Sequence, residues 1–175
     1  MLPSVREQQA MARAGEAMRH WYRDATTSIK HTFGKDYDTF AGVLAALSPR
    51  QSVNKNLEMS LSVWRDWEKA GRPADAESIM NVLRKTPGAK FPGRAPNVIR
   101  ALNGKPLVDW IDPKSNKSYK TESFRQNLIG NLDAYTADMW EAWLSGVDQK
   151  AFGKKSTYLA AAAKSREAAE GMGWK

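Results

Sequence analysis

The sequence contains no cysteine and only two histidines among its 175 residues. Without cysteine the chain has no disulfide bond, no thiolate nucleophile, and no Cys-ligated zinc or iron–sulfur cluster. His20 and His31 are not separated by three or four positions, the spacings that place two side chains on one helical face. We therefore expect no metal site and no cofactor.

Long apolar runs are also missing from the chain. The longest, residues 41–47 and 158–163, fall far short of the roughly 20 residues that cross a bilayer. Residues 1–23 lack the uninterrupted apolar segment of a secretory signal. The sequence therefore predicts a soluble protein of the cytoplasm, with no membrane partner.

Positive charge is abundant. The chain carries 27 Lys and Arg residues against 19 Asp and Glu residues, a formal net charge of +8 at pH 7. This balance favours a polyanionic partner, because each phosphate that Lys or Arg neutralises releases a condensed counterion. Nucleic acid is the first candidate partner, and a site has to support it.

Apolar residues recur at helical spacing along almost the whole chain, and no convincing strand pattern is present. The pattern predicts an all-α protein with a single domain over residues 1–175. It predicts an N-terminal helix over 5–33, a core over 36–150 with a hairpin at 112–120, and a C-terminal helix over 153–175. Within the core, the expected helices lie around residues 40–47, 52–70, 74–84, 96–102, 119–129 and 136–144.

The second core helix carries an apolar face and closely spaced tryptophans. Val53, Leu57, Leu61 and Trp64 mark one face of this helix. Trp64 and Trp67 lie three positions apart, a spacing that favours core packing over a platform for stacking bases.

Two segments carry a more specific resemblance. Residues 40–57 read FAGVLAALSPRQSVNKNL, and residues 118–140 read SYKTESFRQNLIGNLDAYTADMW. The first resembles an early helix and the following loop of the helix-hairpin-helix DNA glycosylase superfamily. The second is similar to the catalytic stretch of that superfamily, in which Lys-Thr opens the second hairpin helix and an Asp follows the next turn. Small phage-encoded members, including those associated with thymine hypermodification, look closer in size and motif.

The resemblance implies two helical lobes around a cleft that binds double-stranded DNA, with Asp138 and Lys120 as catalytic residues. A carboxylate near C1′ stabilises the positive charge that develops on the sugar, and it orients or deprotonates water. A lysine amine at the same carbon forms a Schiff base, after which elimination cleaves the strand. Tyr135 and Trp140, which flank Asp138, would line a base pocket.

Plainer readings of the two catalytic candidates stay open. Asp138, near the start of a predicted helix, is favourable there through the helix dipole alone. Lys120 is by default an exposed, solvated lysine, and a contact to a DNA phosphate is as consistent with it as catalysis.

The loop after the first core helix and the hairpin are the expected DNA contacts. Arg50 and Gln51 are candidate wedges for the gap that a flipped nucleotide leaves. In the superfamily the hairpin reads Gly-x-Gly, but this chain has Asn116 and Ser118 at the glycine positions, so side chains are expected to contact phosphate instead. The full set of expected DNA-binding residues is Arg50, Gln51, Asn54, Lys55, Lys90, Arg94, Lys114, Asn116, Lys117 and Ser118.

Three functions remain at this point. The first is a DNA glycosylase, with or without lyase activity, that acts on a modified or damaged base. The second is a phage DNA-hypermodification enzyme that flips a modified thymine and substitutes at its 5-methyl carbon. The third is a non-catalytic DNA-binding protein. We expect a monomer in each case.

Overall fold

The computed structural model describes residues 4–14, 16, 20–108, 120–136 and 155–174. These residues are helical and contain no strand, which confirms the all-α prediction for the part of the chain described. The helices are α1 (Val5–Ala14), α2 (Trp21–Phe33), α3 (Tyr37–Leu47), α4 (Val53–Lys69), α5 (Ala76–Lys85), α6 (Ala95–Leu102), α7 (Thr121–Leu128) and α8 (Lys155–Gly171), with a 3-10 turn at Gly34–Asp36. Among the described helices, none combines the length and hydropathy of a membrane span.

The N-terminal segment forms two helices rather than the single helix expected over 5–33. His20 lies in a turn directly before α2. Helix α1 packs against α8, whereas α2 packs against α3 and α7. Gly15, a poor helix former, falls between the two helices in the sequence. Periodicity alone did not reveal the break, because both helices carry similar apolar spacing.

Local side-chain chemistry sets the starts of the central helices. The Oγ of Ser52 accepts a hydrogen bond from the backbone N–H of Lys55 and caps α4. Asp75 caps α5 in the same way through Ser78, at 2.8 Å, and this bond lowers the pKa of Asp75. Pro96 lies in the first turn of α6, as the sequence predicts.

Helix α3 is the centre of the fold. It contacts α2, α4, α6 and α7, and most of its side chains are buried. The ring of Phe40 stacks on Phe33 with 3.7 Å between ring centroids, and Trp64 meets both rings edge-on. Trp64 and Trp67 are both buried, which confirms their assignment to the core.

The crossing of α3 and α6 depends on a residue without a side chain. A Cβ atom on Gly42 would lie 2.9 Å from the Cβ of Ala101 and 3.5 Å from Nε of Arg125. Because carbon atoms pack at about 3.5–4.0 Å, the helices would have to separate to accommodate it. Gly42 therefore allows the close approach of α6.

Gly42→Ala should lower the free energy of unfolding by about 1–2 kcal/mol, because overpacking outweighs the gain in helix propensity. Urea denaturation of the variant measures the loss. The double variant Gly42→Ala/Ala101→Gly removes the opposing methyl group, so its loss should be smaller than the sum of the two single losses. Additive losses would show that the contact is not the cause.

The face of helix α4 that packs against the core differs from the one that the sequence suggests. Of the four apolar residues that mark one face, Trp64 alone is buried, and Val53, Leu57 and Leu61 are 67%, 43% and 44% exposed. The buried side chains of α4 are Asn56, Met59, Ser60, Val63, Trp64 and Trp67. Two of these are polar, so an apolar pattern could not locate the buried face near the start of the helix.

Candidate functional site

A cavity of about 440 Å³ lies between α2, the C-terminal end of α3, the first half of α4, and α7. This volume falls in the range of pockets that bind whole small molecules. Three aromatic side chains and several polar ones line it, and Lys120 is among them. The other three helices, α2, α4 and α7, all contact α3, so the core of the fold fixes the shape of the cavity.

The aromatic wall of the cavity comes from Trp21, Tyr22 and Phe124. The rings of Trp21 and Phe124 are nearly parallel, with an interplanar angle of 10° and a centroid separation of 6.4 Å. Tyr22 meets both rings edge-on. Aromatic faces at the side of a cavity are surfaces on which a planar ring can stack.

The sequence did not identify this aromatic wall, and it offered little signal for it. Trp21 and Tyr22 belong to α2, whereas Phe124 belongs to α7, so no spacing rule connects them. The one local signal was the pair of adjacent aromatic residues at the start of α2. Side chains at successive helix positions cannot both point fully into the core, so at least one of these rings has to lie at a surface or a cavity.

Lys120 lies directly before α7 and lines the cavity. Its carbonyl accepts the backbone N–H of Phe124 at 2.8 Å, so the first turn of α7 fixes the backbone at this position. Thr136, two positions before Asp138, lines the same cavity. Asp138 itself, Trp140 and the helix predicted over 136–144 lie outside the described residues, apart from Thr136.

A buried asparagine holds the turn that leads toward Asp138. The side-chain amide of Asn127 donates to the carbonyls of Asn131 and Ala134 at 3.0 and 2.7 Å. Its Oδ1 accepts the hydroxyl of Thr136 at 2.7 Å, and its backbone carbonyl accepts the hydroxyl of Thr26 at 3.3 Å. Asn127 thereby fastens residues 131–136 to α7 and to α2.

Asn127→Ala should lower the free energy of unfolding by about 2 kcal/mol, because it leaves two carbonyls and one hydroxyl without their partner. Urea denaturation measures the loss. Asn81→Ala, on the exposed surface of α5, is the matched control and should change stability by less than about 0.5 kcal/mol. Equal effects of the two variants would mean that the Asn127 bonds do not contribute.

The segment with the predicted hairpin is anchored where it leaves α6. The amide of Asn97 donates to the carbonyl of Val108 at 2.6 Å and accepts its N–H at 2.9 Å. Glu122 of α7 accepts the N–H of Leu107 at 2.7 Å. Residues 109–119 lie outside the described residues, and with them four expected DNA contacts: Lys114, Asn116, Lys117 and Ser118.

Arg94, expected as a DNA contact, is buried and bonded inside the protein. It donates to the carbonyls of Pro49 and Gly88. With the Gln51 amide turned so that its oxygen faces the guanidinium, which can only donate, Oε1 of Gln51 accepts from Nη2 and Nη1 at 2.6 and 3.2 Å. Burial lowers the pKa of its guanidinium, and the nearby charge of Arg50 lowers it further. The structure therefore shows Arg94 fastening the loop between α3 and α4 at two points.

Arg50 lies between these two points and is exposed. Its backbone φ is +59°, a left-handed conformation that is uncommon for a residue with a side chain. Such conformations persist where the surrounding structure fixes them, and here the bonds of Arg94 to Pro49 and Gln51 do so. Gln51 is half-buried and lines the cavity.

The remaining expected site residues occupy different surroundings. Asn54 and Lys55 are exposed on the first turn of α4, and Lys90 is exposed in the loop before α6. Tyr135 is not among the cavity residues. Its ring packs edge-on against Tyr158 of α8 at 5.6 Å, and its hydroxyl accepts from Ser165 at 3.4 Å. Tyr135 therefore connects residues 131–136 to the C-terminal helix α8.

Comparison with known proteins gives a family. No curated protein and no solved structure matches the chain. A model of one protein family matches residues 7–175, which is nearly the whole length. The chain therefore belongs to a family of unknown function, DUF7178.

Proposed function

We propose that this protein is a DNA-acting enzyme of the helix-hairpin-helix glycosylase type. In this proposal it flips a modified or damaged base into the cavity between α2, α4 and α7 and breaks the glycosidic bond of that base. The observation that carries the proposal is that Lys120 and three aromatic side chains line the same cavity, which has the size of a ligand-binding pocket. The net charge of +8 supports a phosphate-rich partner.

Extrusion of a base costs a few kcal/mol. Contacts to the extruded base, together with a side chain that fills the gap in the duplex, have to offset this cost. The rings of Trp21 and Phe124 supply a stacking surface, and stacking of one base on an aromatic side chain contributes roughly 1–3 kcal/mol. Arg50, exposed at the tip of an anchored loop beside the cavity residue Gln51, is the side chain proposed to fill the gap in the duplex.

The chemistry requires a carboxylate and an amine near the sugar. In the proposal Asp138 stabilises the positive charge at C1′ and activates the attacking group as the base departs with the bonding electron pair. If Lys120 is the nucleophile, its nitrogen bonds to C1′ and loses a proton, and the sugar ring opens to give the Schiff base. Thr136, which precedes Asp138 by two positions in the sequence, lines the same cavity as Lys120.

A second candidate is the hypermodification enzyme, which keeps the fold and the flipped base but substitutes at the 5-methyl carbon of a modified thymine. The cavity volume of about 440 Å³ favours it, because such a volume leaves room for a substituent beyond the ring.

One assay separates these functions from each other and from DNA binding alone. Duplexes that carry single modified bases are incubated with the protein, then treated with alkali, with borohydride, or digested for mass spectrometry of the nucleosides. Strand breaks in alkali or a trapped adduct support the glycosylase. An altered thymine with an intact glycosidic bond supports the second candidate. If binding falls steeply with salt and no duplex gives a chemical product, the protein is a non-catalytic DNA-binding protein.

A further inference from the structure

We propose that Arg94 is a positioning residue for DNA binding, and that it holds Arg50 in the conformation in which the Arg50 side chain enters the gap left by an extruded base. This inference rests on the proposed function, in which Arg50 fills that gap. Arg94 then acts on DNA only through Arg50 and makes no contact of its own. Two unfavourable features of the structure, one at each arginine, support this role.

Arg50 occupies a turn position that favours glycine. Residues 48–51 form a turn, which is closed by a hydrogen bond from the backbone N–H of Gln51 to the carbonyl of Ser48 at 3.1 Å. Pro49 is the second residue of this turn and Arg50 the third, with a φ of +59°. A positive φ at the third position favours glycine or asparagine, because most side chains are strained there. The turn alone therefore does not explain an arginine at this position.

Arg94 is a buried cation without an ion-pair partner among the described residues. It is 7% exposed, and the hydrogen-bond acceptors that it meets are neutral oxygens. Its Nε is buried and has no hydrogen-bond partner in the described part of the chain. Burial lowers the pKa of the guanidinium, and the positive charge of Arg50 lowers it further. A buried charge without an opposite charge lowers stability, so packing alone does not explain an arginine here either.

The bonds of Arg94 connect these two features. Its guanidinium donates to the carbonyl of Pro49 and to the turned amide of Gln51, the residues directly before and after Arg50. A third bond, 3.0 Å long, reaches the carbonyl of Gly88 and joins the turn to the loop before α6. Arg94 therefore holds the turn on both sides of Arg50 and leaves the Arg50 side chain exposed. Lysine lacks the planar fork that meets several acceptors at once, so it cannot replace arginine in this role.

Binding to an abasic duplex tests this role without knowledge of the target base. A tetrahydrofuran residue in the duplex leaves a gap but no base to extrude, and a fully paired duplex of the same sequence is the reference. Fluorescence anisotropy gives Kd for both duplexes. We expect the wild-type protein to bind the abasic duplex about 10-fold more tightly, and this preference should fall below about 2-fold in Arg50→Ala, Arg94→Lys and Arg94→Met.

The preference is a ratio of two affinities, so a variant that only lowers the folded fraction leaves it unchanged. Two further readouts separate positioning from a phosphate contact. Arg94→Met should leave the salt dependence of binding to the paired duplex unchanged, whereas loss of a phosphate contact lowers that slope by about 0.9. In the Arg50→Ala background, Arg94→Lys should cause no further loss of preference, because the side chain that Arg94 positions is already absent.

Gly88→Ala tests the same role with both arginines in place, and it decides the matter if the Arg94 variants fail to fold. The φ of Gly88 is +82°, so alanine is strained there, and its Cβ would lie 3.4 Å from Nη1 of Arg94. Gly71→Ala is the matched control, because its φ is +80° but nothing lies within 4 Å of an added Cβ. The preference should fall about 3-fold or more in Gly88→Ala and keep its wild-type value in Gly71→Ala.

A preference that keeps its wild-type value in Arg94→Lys or in Gly88→Ala would overturn the inference and leave the proposed function standing. Equal binding of the two duplexes by the wild-type protein, or a preference that persists in Arg50→Ala, would also overturn it, because Arg50 then does not fill the gap. Absence of binding to both duplexes would overturn the proposed function together with the inference.

Discussion

Asp138→Asn is expected to slow base release by about 100-fold or more under the proposed function. Asparagine has nearly the same shape as aspartate but carries no charge, so it cannot stabilise the positive charge that develops at C1′. Loss of a group that acts electrostatically on a transition state costs roughly two to three orders of magnitude in rate. The measurement is single-turnover base release from the duplex on which the wild-type protein is active.

Lys120→Ala separates the two catalytic candidates in the same assay. If Lys120 is the nucleophile, the borohydride adduct should fall to background. If Asp138 activates water instead, base release should continue and no adduct should form with either protein. Lys35→Ala, an exposed lysine of the 3-10 turn, is the matched control and should leave both readouts unchanged. Base release that is undiminished in Asp138→Asn would remove that carboxylate from the mechanism.

Arg125→Met should lower the free energy of unfolding by about 2 kcal/mol. Arg125 of α7 is 7% exposed, and its Nε and Nη2 donate to the two carboxylate oxygens of Asp38 at 2.9 Å each. Its Nη1 also lies 3.4 Å from both oxygens of Glu122. Methionine fills much of the same space, so the expected loss reflects the lost hydrogen bonds to Asp38, whose side chain is 44% exposed, rather than a cavity.

The Arg125 prediction has a direct control in a second ion pair. Arg65 and Asp66 lie 3.7 Å apart, and the Arg65 side chain is well exposed, so Arg65→Met should change stability by less than about 0.5 kcal/mol. Urea denaturation gives both values. In the double variant Arg125→Met/Asp38→Asn, the loss should be smaller than the sum of the single losses, because both substitutions break the same bidentate ion pair. Equal losses for Arg125→Met and Arg65→Met would contradict the account.

The helices were predictable because their signals are local. The apolar run of α3, the Ser52 cap of α4 and the proline in the first turn of α6 act within one or two helical turns, so sequence spacing records them. The exposed side of α4 was not predictable in this way. Periodicity shows that Val53, Leu57 and Leu61 share a face, but only tertiary packing decides that all three stay exposed and that Val53 and Leu57 line the cavity.

The candidate site was predictable only in part. Lys120 and Gln51 were found through resemblance to known motifs, and both line the cavity. The polar residues that shape the site, Asn56 and Asn127 among them, were missed because their partners are backbone carbonyls of other segments. An asparagine in a helix has no sequence signature that distinguishes such a buried bond from a solvated position.

The most direct measurement of the central claim is photo-cross-linking of a duplex that carries a single 5-iodouracil, followed by mass spectrometry of the cross-linked peptide. If the base enters the cavity, the cross-link should form at Trp21, Tyr22 or Phe124, and it should be lost when the iodinated base is placed in a duplex that the protein binds only non-specifically. A cross-link confined to side chains outside the cavity, or an identical yield from both duplexes, would contradict a flipped base beside Lys120.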